Sequence, residues 1–587
     1  MNGPRSAAVS RRTVLGGALG ALGAGALAAC SSGSAVTSSS AAAGAPSGGS
    51  TASAAPAARK RGGTFRFAGS DASASDGVDP NSASGSSWAI TRAMYNGLLW
   101  RDHHQQVQLK LAEEFEADPK DQSVWTIRVR DGVEFHHGKT LTADDVVFTI
   151  NRIMDPKKPG YVIGLMDSVD PKAITKLDDR TIRLKLKYPN SQLKQTFQAV
   201  PAAIVPVDFD PAKPVGTGPF KFVSNTPGQR FVAERNPHYF LDGMPYLDRL
   251  ELVTFADKTI ARTNALFSGQ IDGLDKIPAA VVKQVQARDG LTTVISQTGA
   301  FEPLAMRSGP GDQFEDPRVR LAFKLIAPRQ LLVNSIYAGM GGVGDDIGSW
   351  PQWDQSIDPS LTGRAQDLER AKQLLAEAGK AGMEVDLRVG DVVPGQVDAA
   401  NVFAQEAAKI GVKVTVKKVA DLATFYSGDD YMTSQFKNDY LYTTTLYNNI
   451  LYCYLKDGPF NNTGYSNPEM ERLFYQALAS PEQEYLETMQ KISRILVDDG
   501  PWLVWGRHDI ADAISAAFTG LVPDATGCGF NGYNWEEIRV GLTERAGGQV
   551  TRSAGVERLE DQGENGVVPI PILVSAGVRR GTDPAGR

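Results

Sequence analysis

The stretch 384–419 constrains the fold more than any other part of the chain. Glu384-Val-Asp-Leu-Arg-Val389 alternates apolar and polar residues as a strand does, a helical segment follows over roughly 398–410 and stops at Gly411, and Val412-Lys-Val-Thr-Val-Lys-Lys-Val419 returns to period two. A strand, helix and strand in this order close as a right-handed crossover, so the two strands lie parallel in one sheet with helices against it. Just upstream, Leu368, Ala371, Leu374, Leu375 and Ala378 repeat at helical spacing and end at Gly379. The predicted class is α/β. Sheets of this kind open ligand crevices at the carboxyl ends of their strands, so the residues after Val419 are where a site is expected.

Strand patterns recur elsewhere. Gly63-Thr-Phe-Arg-Phe-Ala68 alternates, as does Trp125-Thr-Ile-Arg-Val-Arg130; Asp131-Gly132 then supplies a hairpin dipeptide, with Val133-Glu-Phe135 as the expected return strand. Thr142-Ala-Asp-Asp145 is a capping-box pattern that predicts a helix through about Ile153. Gly138-Lys139-Thr140 resembles part of a phosphate loop, but the required glycine five positions earlier is Val133, which argues against nucleotide binding. Further helices are expected over about 468–479 and 482–498, and Pro501-Trp-Leu-Val-Trp505 reads as a buried strand. From about Gly541 to Arg587 the composition of Gly, Arg and Glu, broken by prolines, predicts a poorly ordered tail.

The amino-terminal region reads as an address. Ser10-Arg11-Arg12-Thr13-Val14-Leu15 has twin-arginine form, and the apolar run from Val14 to Ala29 is too short and too rich in glycine to span a bilayer. Leu27-Ala-Ala-Cys30 has the form of a bacterial lipobox, which makes 1–29 a signal peptide and Cys30 the lipidated first residue of the mature chain. Residues 30–60 are then the lipidated cysteine and a Ser/Ala/Gly tether. The expected location is extracytoplasmic, anchored by lipid to the outer face of the cell membrane. A net charge of −6, more acidic still without the leader's arginines, disfavours nucleic acid as a partner. Cys453 and Cys528 remain either as a disulfide or as two separate buried thiols.

Eight stretches, in order, carry a family resemblance: Arg61-Gly-Gly-Thr-Phe-Arg-Phe67, Tyr95-Asn-Gly-Leu-Leu-Trp100, the run from Gly132 to Arg152, Pro214-Val-Gly-Thr-Gly-Pro-Phe220, Glu234-Arg-Asn-Pro-His-Tyr239, Leu266-Phe-Ser-Gly-Gln-Ile-Asp272, Asp316-Pro-Arg-Val-Arg-Leu-Ala322 and Ala371-Lys-Gln-Leu-Leu-Ala-Glu-Ala-Gly379. Together they resemble the family 5 extracellular solute-binding proteins, the peptide and nickel class of ATP-binding-cassette importers. The resemblance implies a two-lobed, periplasmic-binding-protein-like fold of type II with an extra subdomain and a hinge. It implies lobe I from 62–80, 205–300 and 500–540, a subdomain of lobe I over 81–204, lobe II over 301–499, and a tail over 541–587. Closure of the lobes on a ligand would make the protein recognisable to a membrane permease with a separate ATPase. A monomer is expected, with no cofactor.

In the family's peptide binders a carboxylate in lobe II pairs with the peptide's amino group. Ser434-Gln-Phe-Lys-Asn-Asp-Tyr440 occupies that place, which maps the carboxylate to Asp439 and a flanking aromatic to Tyr440. The alternative is that Asp439 caps a turn on the surface; if it holds the ligand, Asp439→Ala is expected to abolish or greatly weaken binding of ligands with a free amine while leaving the empty protein's melting temperature nearly unchanged. Leu441-Tyr-Thr-Thr-Thr-Leu-Tyr447 departs from the family's usual continuation, and its tyrosines and threonines also suit an oligosaccharide or other polar solute. Tyr442 and Tyr447 are candidates to stack on a ligand or to pack in the core. Trp88 lies where relatives let lobe I touch the ligand, and core packing is its alternative. The six histidines include two adjacent pairs, His103-His104 and His136-His137, without the spacing of a metal site, which weighs against a metal or metal-chelate cargo. No nucleophile elbow, His-Glu-x-x-His pair or catalytic-cysteine context appears, so a binding protein is expected and an exported lipoprotein hydrolase is the rival of another class.

Overall fold

In the computed structural model, which describes residues 61–541 except 71, 73–75, 84–86, 158–160, 257–258, 391–394, 421–424, 426–427 and 440–443, the crossover at 384–419 forms as its pattern requires. Glu384–Val389 runs parallel to Lys413–Lys418 in continuous register from Glu384↔Lys413 to Val389↔Lys418, with the helix Gln396–Ala408 between them. The leader, Cys30, the tether and the tail after Gly541 lie outside the described residues.

Three main sheets are present among the described residues. The second sheet, which holds the crossover, has the order Lys413–Lys418, Glu384–Val389, Phe436–Asn438, Leu304–Met306 and Trp502–Leu503. Its helices Pro317–Ile326, Leu368–Glu377 and Gln396–Ala408 bury Phe323, Leu374 and Phe403 against Leu387 and Phe436. The first sheet has eight strands and is mixed: Thr64–Ala68 is parallel to both Arg249–Val253 and Gly273–Leu274, while Leu291–Ala300 and Gly506–Ser515 pair antiparallel. The alternation at 63–68 drives Phe65 and Phe67 inward onto Phe530 and Trp535, with ring centroids 4.8 Å apart for Phe67 and Phe530.

The third sheet is antiparallel, in the order Ala112–Asp118, Asp121–Val129, Thr181–Leu186 and Val169–Lys176. Here the hairpin expected at Asp131-Gly132 does not form. Both edges of Asp121–Val129 are already taken by Ala112–Asp118 and Thr181–Leu186, so the chain beyond Gly132 leaves the sheet. Residues 133–135 instead fold back on 139–141, with Phe135 N–H donating to Lys139 O and Leu141 N–H to Val133 O, both at 2.8 Å. The helix that follows, Ala143–Ile153, starts on the expected capping box: Thr142 N–H donates to Asp145 Oδ2 at 2.9 Å. Asp145 is fully buried and also accepts from Val207 N–H at 2.9 Å, so one short local motif also fixes a distant segment.

The Pro214–Phe220 loop brings backbone against backbone. A Cβ at Gly216 would lie 2.1 Å from Met94 O and one at Gly218 would lie 2.3 Å from the Met94 carbonyl carbon, so only glycine permits the contact. His136 clasps the same loop, its Nε2 3.0 Å from Gly218 O and its Nδ1 3.3 Å from Gly216 N. Burial pushes the His136 pKa down to about 4, which keeps this ring neutral.

Two short links, 301–303 and 504–505, carry the chain directly between the first and second sheets. Beside them Tyr337 O–H donates to Glu302 Oε2 at 3.0 Å, His508 Nε2 sits 3.0 Å from Glu302 Oε1, and the Tyr337 ring stacks on Trp505 at 4.7 Å. Cys453 and Cys528 are not joined. They occupy different hydrophobic cores, Cys453 with the residues around Tyr447 and Met470, Cys528 with those around Phe65 and Trp535. Each packs as a small apolar side chain, and burial pushes both thiols up, Cys528 to about 12.

Candidate functional site

Asp439 follows the carboxyl end of Phe436–Asn438, a strand flanked by the parallel Glu384–Val389 and the antiparallel Leu304–Met306. Its N–H donates to Pro303 O at 2.8 Å, next to one of the two inter-sheet links. The Asn438 side chain ties the ends of two parallel strands together: Gly390 N–H donates to its Oδ1 and its Nδ2 donates to Gly390 O, each at 3.0 Å. Asp439 therefore stands at the carboxyl ends of the strands, where crevices of α/β sheets open.

The carboxylate is buried, with 1% of the residue exposed, and is held from two sides. Tyr431 O–H donates to Oδ1 at 2.7 Å and Asn462 Nδ2 donates to Oδ2 at 2.6 Å. Tyr431 comes from the short helix Asp429–Thr433 that leads into the strand, while Asn462 arrives from a loop beyond the π-helical turn Ile450–Tyr454.

Two residues earlier on the same strand face, Lys437 is fully buried. Its Nζ donates to Asn462 O at 2.9 Å and lies 5.1 Å from the centre of the Tyr431 ring. Burial pushes its pKa down to about 7, partly offset by the Asp439 charge. Lys437, Asp439, Tyr431 and Asn462 make one buried polar cluster. Phe436, immediately before Lys437 on the strand, points the other way into an aromatic core with Phe314, Phe323 and Phe403.

The other sequence candidates separate from this cluster. Tyr440 and Tyr442 lie outside the described residues. Trp88 sits on the inward face of the helix Ser87–Met94, only 2% exposed, with its indole N–H on Ala83 O at 3.1 Å. It packs in the core, the other of its two readings, because the helix turns that face onto the Phe65 and Trp535 cluster. Tyr447 is likewise buried, its hydroxyl accepting from Asn190 Nδ2 at 2.9 Å. Among the described residues no group of His, Cys, Asp and Glu is arranged to hold a metal ion, and no helix is long and apolar enough to cross a membrane.

Lys437, Tyr431 and Asn462 were missed in the sequence. Period two alone places Lys437 on the same face as Asp439, so that residue carried a usable signal; nothing local connects Asp439 to Asn462, which is 23 residues away.

Residues 106–454 match the sequence signature described as bacterial extracellular solute-binding proteins, family 5. The chain is 25% identical over 453 residues to the oligopeptide-binding protein AppA of Bacillus subtilis, covering 70% of this chain and 80% of that protein. It is 24% identical over 483 residues to the glutathione-binding protein GsiB of Pectobacterium atrosepticum, covering 76% and 90% respectively. Among solved structures, the periplasmic binding protein AgaA of A. tumefaciens R10, in complex with agropinic acid, superposes with a TM-score of 0.71 at 25% identity over 82% of this chain and 99% of that one.

Proposed function

Because the chain belongs to the bacterial extracellular solute-binding proteins of family 5, we propose that it captures oligopeptides or dipeptides by lobe closure and presents them to a membrane permease. It is a substrate-binding component of an ATP-binding-cassette importer, with the two-lobed fold of periplasmic binding proteins, and it binds rather than transforms its ligand. The observation that carries the peptide reading is the Asp439 carboxylate. It is held by Tyr431 and Asn462 and stands at the crevice end of the second sheet, where its charge can balance a peptide's ammonium group. A buried ammonium needs such a counter-charge, since an unpaired one costs several kcal/mol or shifts its pKa until it is neutral.

The first sheet serves as lobe I, from 62–80, 205–300 and 500–540, with 81–204 as its subdomain around the third sheet and 301–499 as lobe II around the second. The links 301–303 and 504–505 serve as the hinge, since they are short and join the two sheets directly. The strand Gly341–Val343 falls within the lobe II segment yet pairs with Gly506–Ser515 of the first sheet, which adds a third tie near the hinge. The protein acts as a monomer tethered through lipidated Cys30, which keeps it concentrated beside its permease.

A second reading, an oligosaccharide, other polar solute or metal chelate as cargo, rests on the Tyr- and Thr-rich stretch 441–447 in place of the family's usual continuation. Thermal melting with trialanine and with N-acetyl-trialanine separates the two. Trialanine is expected to raise the melting temperature with the logarithm of its concentration above Kd, by about 2.7 kcal/mol of stabilisation at a hundredfold excess, while the acetylated peptide leaves it unchanged. Equal effects from both, or none from either, would remove the amino group as the feature recognised.

A further inference from the structure

The subdomain over 81–204 is fastened on two sides, and the two fastenings differ in kind. Toward lobe I it is tied by the buried ion pair of Lys110 Nζ with Glu536 Oε1 at 2.7 Å, both side chains 7% exposed, and by Asn96 Nδ2 donating to Thr217 O at 3.0 Å. Parting that side would strand two buried charges, which is costly. Toward lobe II the ties are hydrogen bonds between neutral groups: Asn190 Nδ2 donates to the Tyr447 hydroxyl at 2.9 Å and Ser191 N–H to Leu478 O at 2.9 Å. A cavity of about 310 Å³ interrupts this second seam, with Arg101, Gln105, Gln192 and Gln195 on one wall and Asp354 and Glu482 on the other. Polar, incompletely filled interfaces of this kind are the ones across which domains move.

The subdomain's side of the seam is hydrogen-bonded without lobe II. Asn190 Nδ2 also donates to Ser168 Oγ at 3.0 Å, and Thr196 Oγ1, 3.5 Å from the Tyr447 hydroxyl, donates to Leu165 O at 3.0 Å. Both keep a partner inside the subdomain when the seam parts, and the Tyr447 hydroxyl then meets water. At one point the two sides approach so closely that only glycine fits. A Cβ at Gly164 would lie 2.8 Å from Pro459 Cγ and 2.9 Å from Tyr452 Cε1, both on the lobe II side. Gly164 does not have a positive φ, so the contact across the seam, rather than the backbone, requires glycine there.

We propose that this seam is a latch: it forms when the lobes close and parts when they open, which makes Tyr447 and Asn190 positioning residues for closure. The proposal rests on the reading of 81–204 and 301–499 as parts of different lobes. Bonds present only in the closed form favour that form and so raise the affinity for its cargo. Amide exchange of the full chain tests the latch, read at Ser191 against the strand Asp121–Val129, both of whose edges are paired. In the empty protein Ser191 is expected to exchange about 100-fold faster than those strand amides, because the seam opens without global unfolding. Gly164→Ala is expected to speed that exchange further by wedging the seam, and saturating trialanine to slow it in the wild type. Tyr447→Phe keeps the ring but leaves an Asn190 N–H unpaired on closure, so trialanine is expected to bind about fivefold more weakly or worse while the empty protein melts as the wild type does. Exchange at Ser191 as slow as in the strand, or a Tyr447→Phe protein that loses melting temperature but no affinity, would make the seam a permanent core and overturn the proposal. Failure of trialanine to bind would count against the peptide reading alone, and the exchange of the empty protein with its response to Gly164→Ala would still decide the latch.

Discussion

Asp439→Asn is expected to weaken binding of trialanine by about 100-fold or more while the empty protein melts close to the wild type. Truncating one member of a buried charge pair costs ~2–5 kcal/mol in binding, and each 1.4 kcal/mol is a factor of ten. The substitution keeps the shape and one acceptor, so Tyr431 retains a partner. Its new amide faces Asn462, whose Oδ1 is buried without a partner, and rotation of that amide lets Oδ1 accept the new hydrogen. Asp439→Ala behaves differently. The unchanged melting temperature expected for it from the sequence is corrected by the structure, because Asp439 is buried and alanine strips partners from Tyr431 and Asn462 at ~1–3 kcal/mol each. Calorimetric titration gives the affinity and a thermal melt the stability. An Asp439→Asn protein that binds trialanine as the wild type does would take Asp439 out of the site.

Lys437→Met is expected to stabilise the empty protein most at pH 6, by an amount that shrinks as pH rises toward 10. Lysine in the unfolded chain titrates near 10.4, whereas burial brings Lys437 down to about 7 in the folded protein. Below pH 7 both states carry the proton and the folded state bears the full cost of a buried ammonium. Between about 7 and 10 only the unfolded state stays protonated, so wild-type stability rises with pH through this window, by roughly 3–5 kcal/mol from this one group. Methionine has no proton to lose and removes that rise. Urea unfolding at pH 6, 7, 8 and 9 measures the difference, and a difference that does not change with pH would show that the lysine keeps its ordinary titration. The same shift bears on binding. A lysine that is neutral above pH 7 leaves the Asp439 charge available to a guest's ammonium, so peptide affinity is expected to fall as pH drops below 7 in the wild type but not in Lys437→Met.

How far these sites were legible in the sequence depended on whether the information was local. The crossover at 384–419 was legible because alternation, a helical stretch and a terminal glycine are written in consecutive residues, and the observed register follows from them. The capping box at Thr142 and Asp145 was legible for the same reason, although the bond from Val207 to Asp145 was not. The hairpin at Asp131-Gly132 failed because a turn dipeptide says where a chain can reverse but not whether its neighbouring strand has a free edge. For Trp88 and the cysteine pair the sequence left two readings open in each case, since the cores that receive Trp88, Cys453 and Cys528 are assembled from residues hundreds of positions apart. Of the Asp439 cluster, the acid was reached through a family resemblance and Lys437 was implied by strand periodicity. Tyr431 and Asn462 became visible only when the fold brought their chains together.

The central claim is that two lobes close on a peptide, and small-angle X-ray scattering of the full chain tests it most directly. With a saturating mixture of short peptides bearing free amino termini, the radius of gyration is expected to contract relative to the empty protein and the two profiles to diverge. Profiles that superimpose within error at saturation would contradict the account.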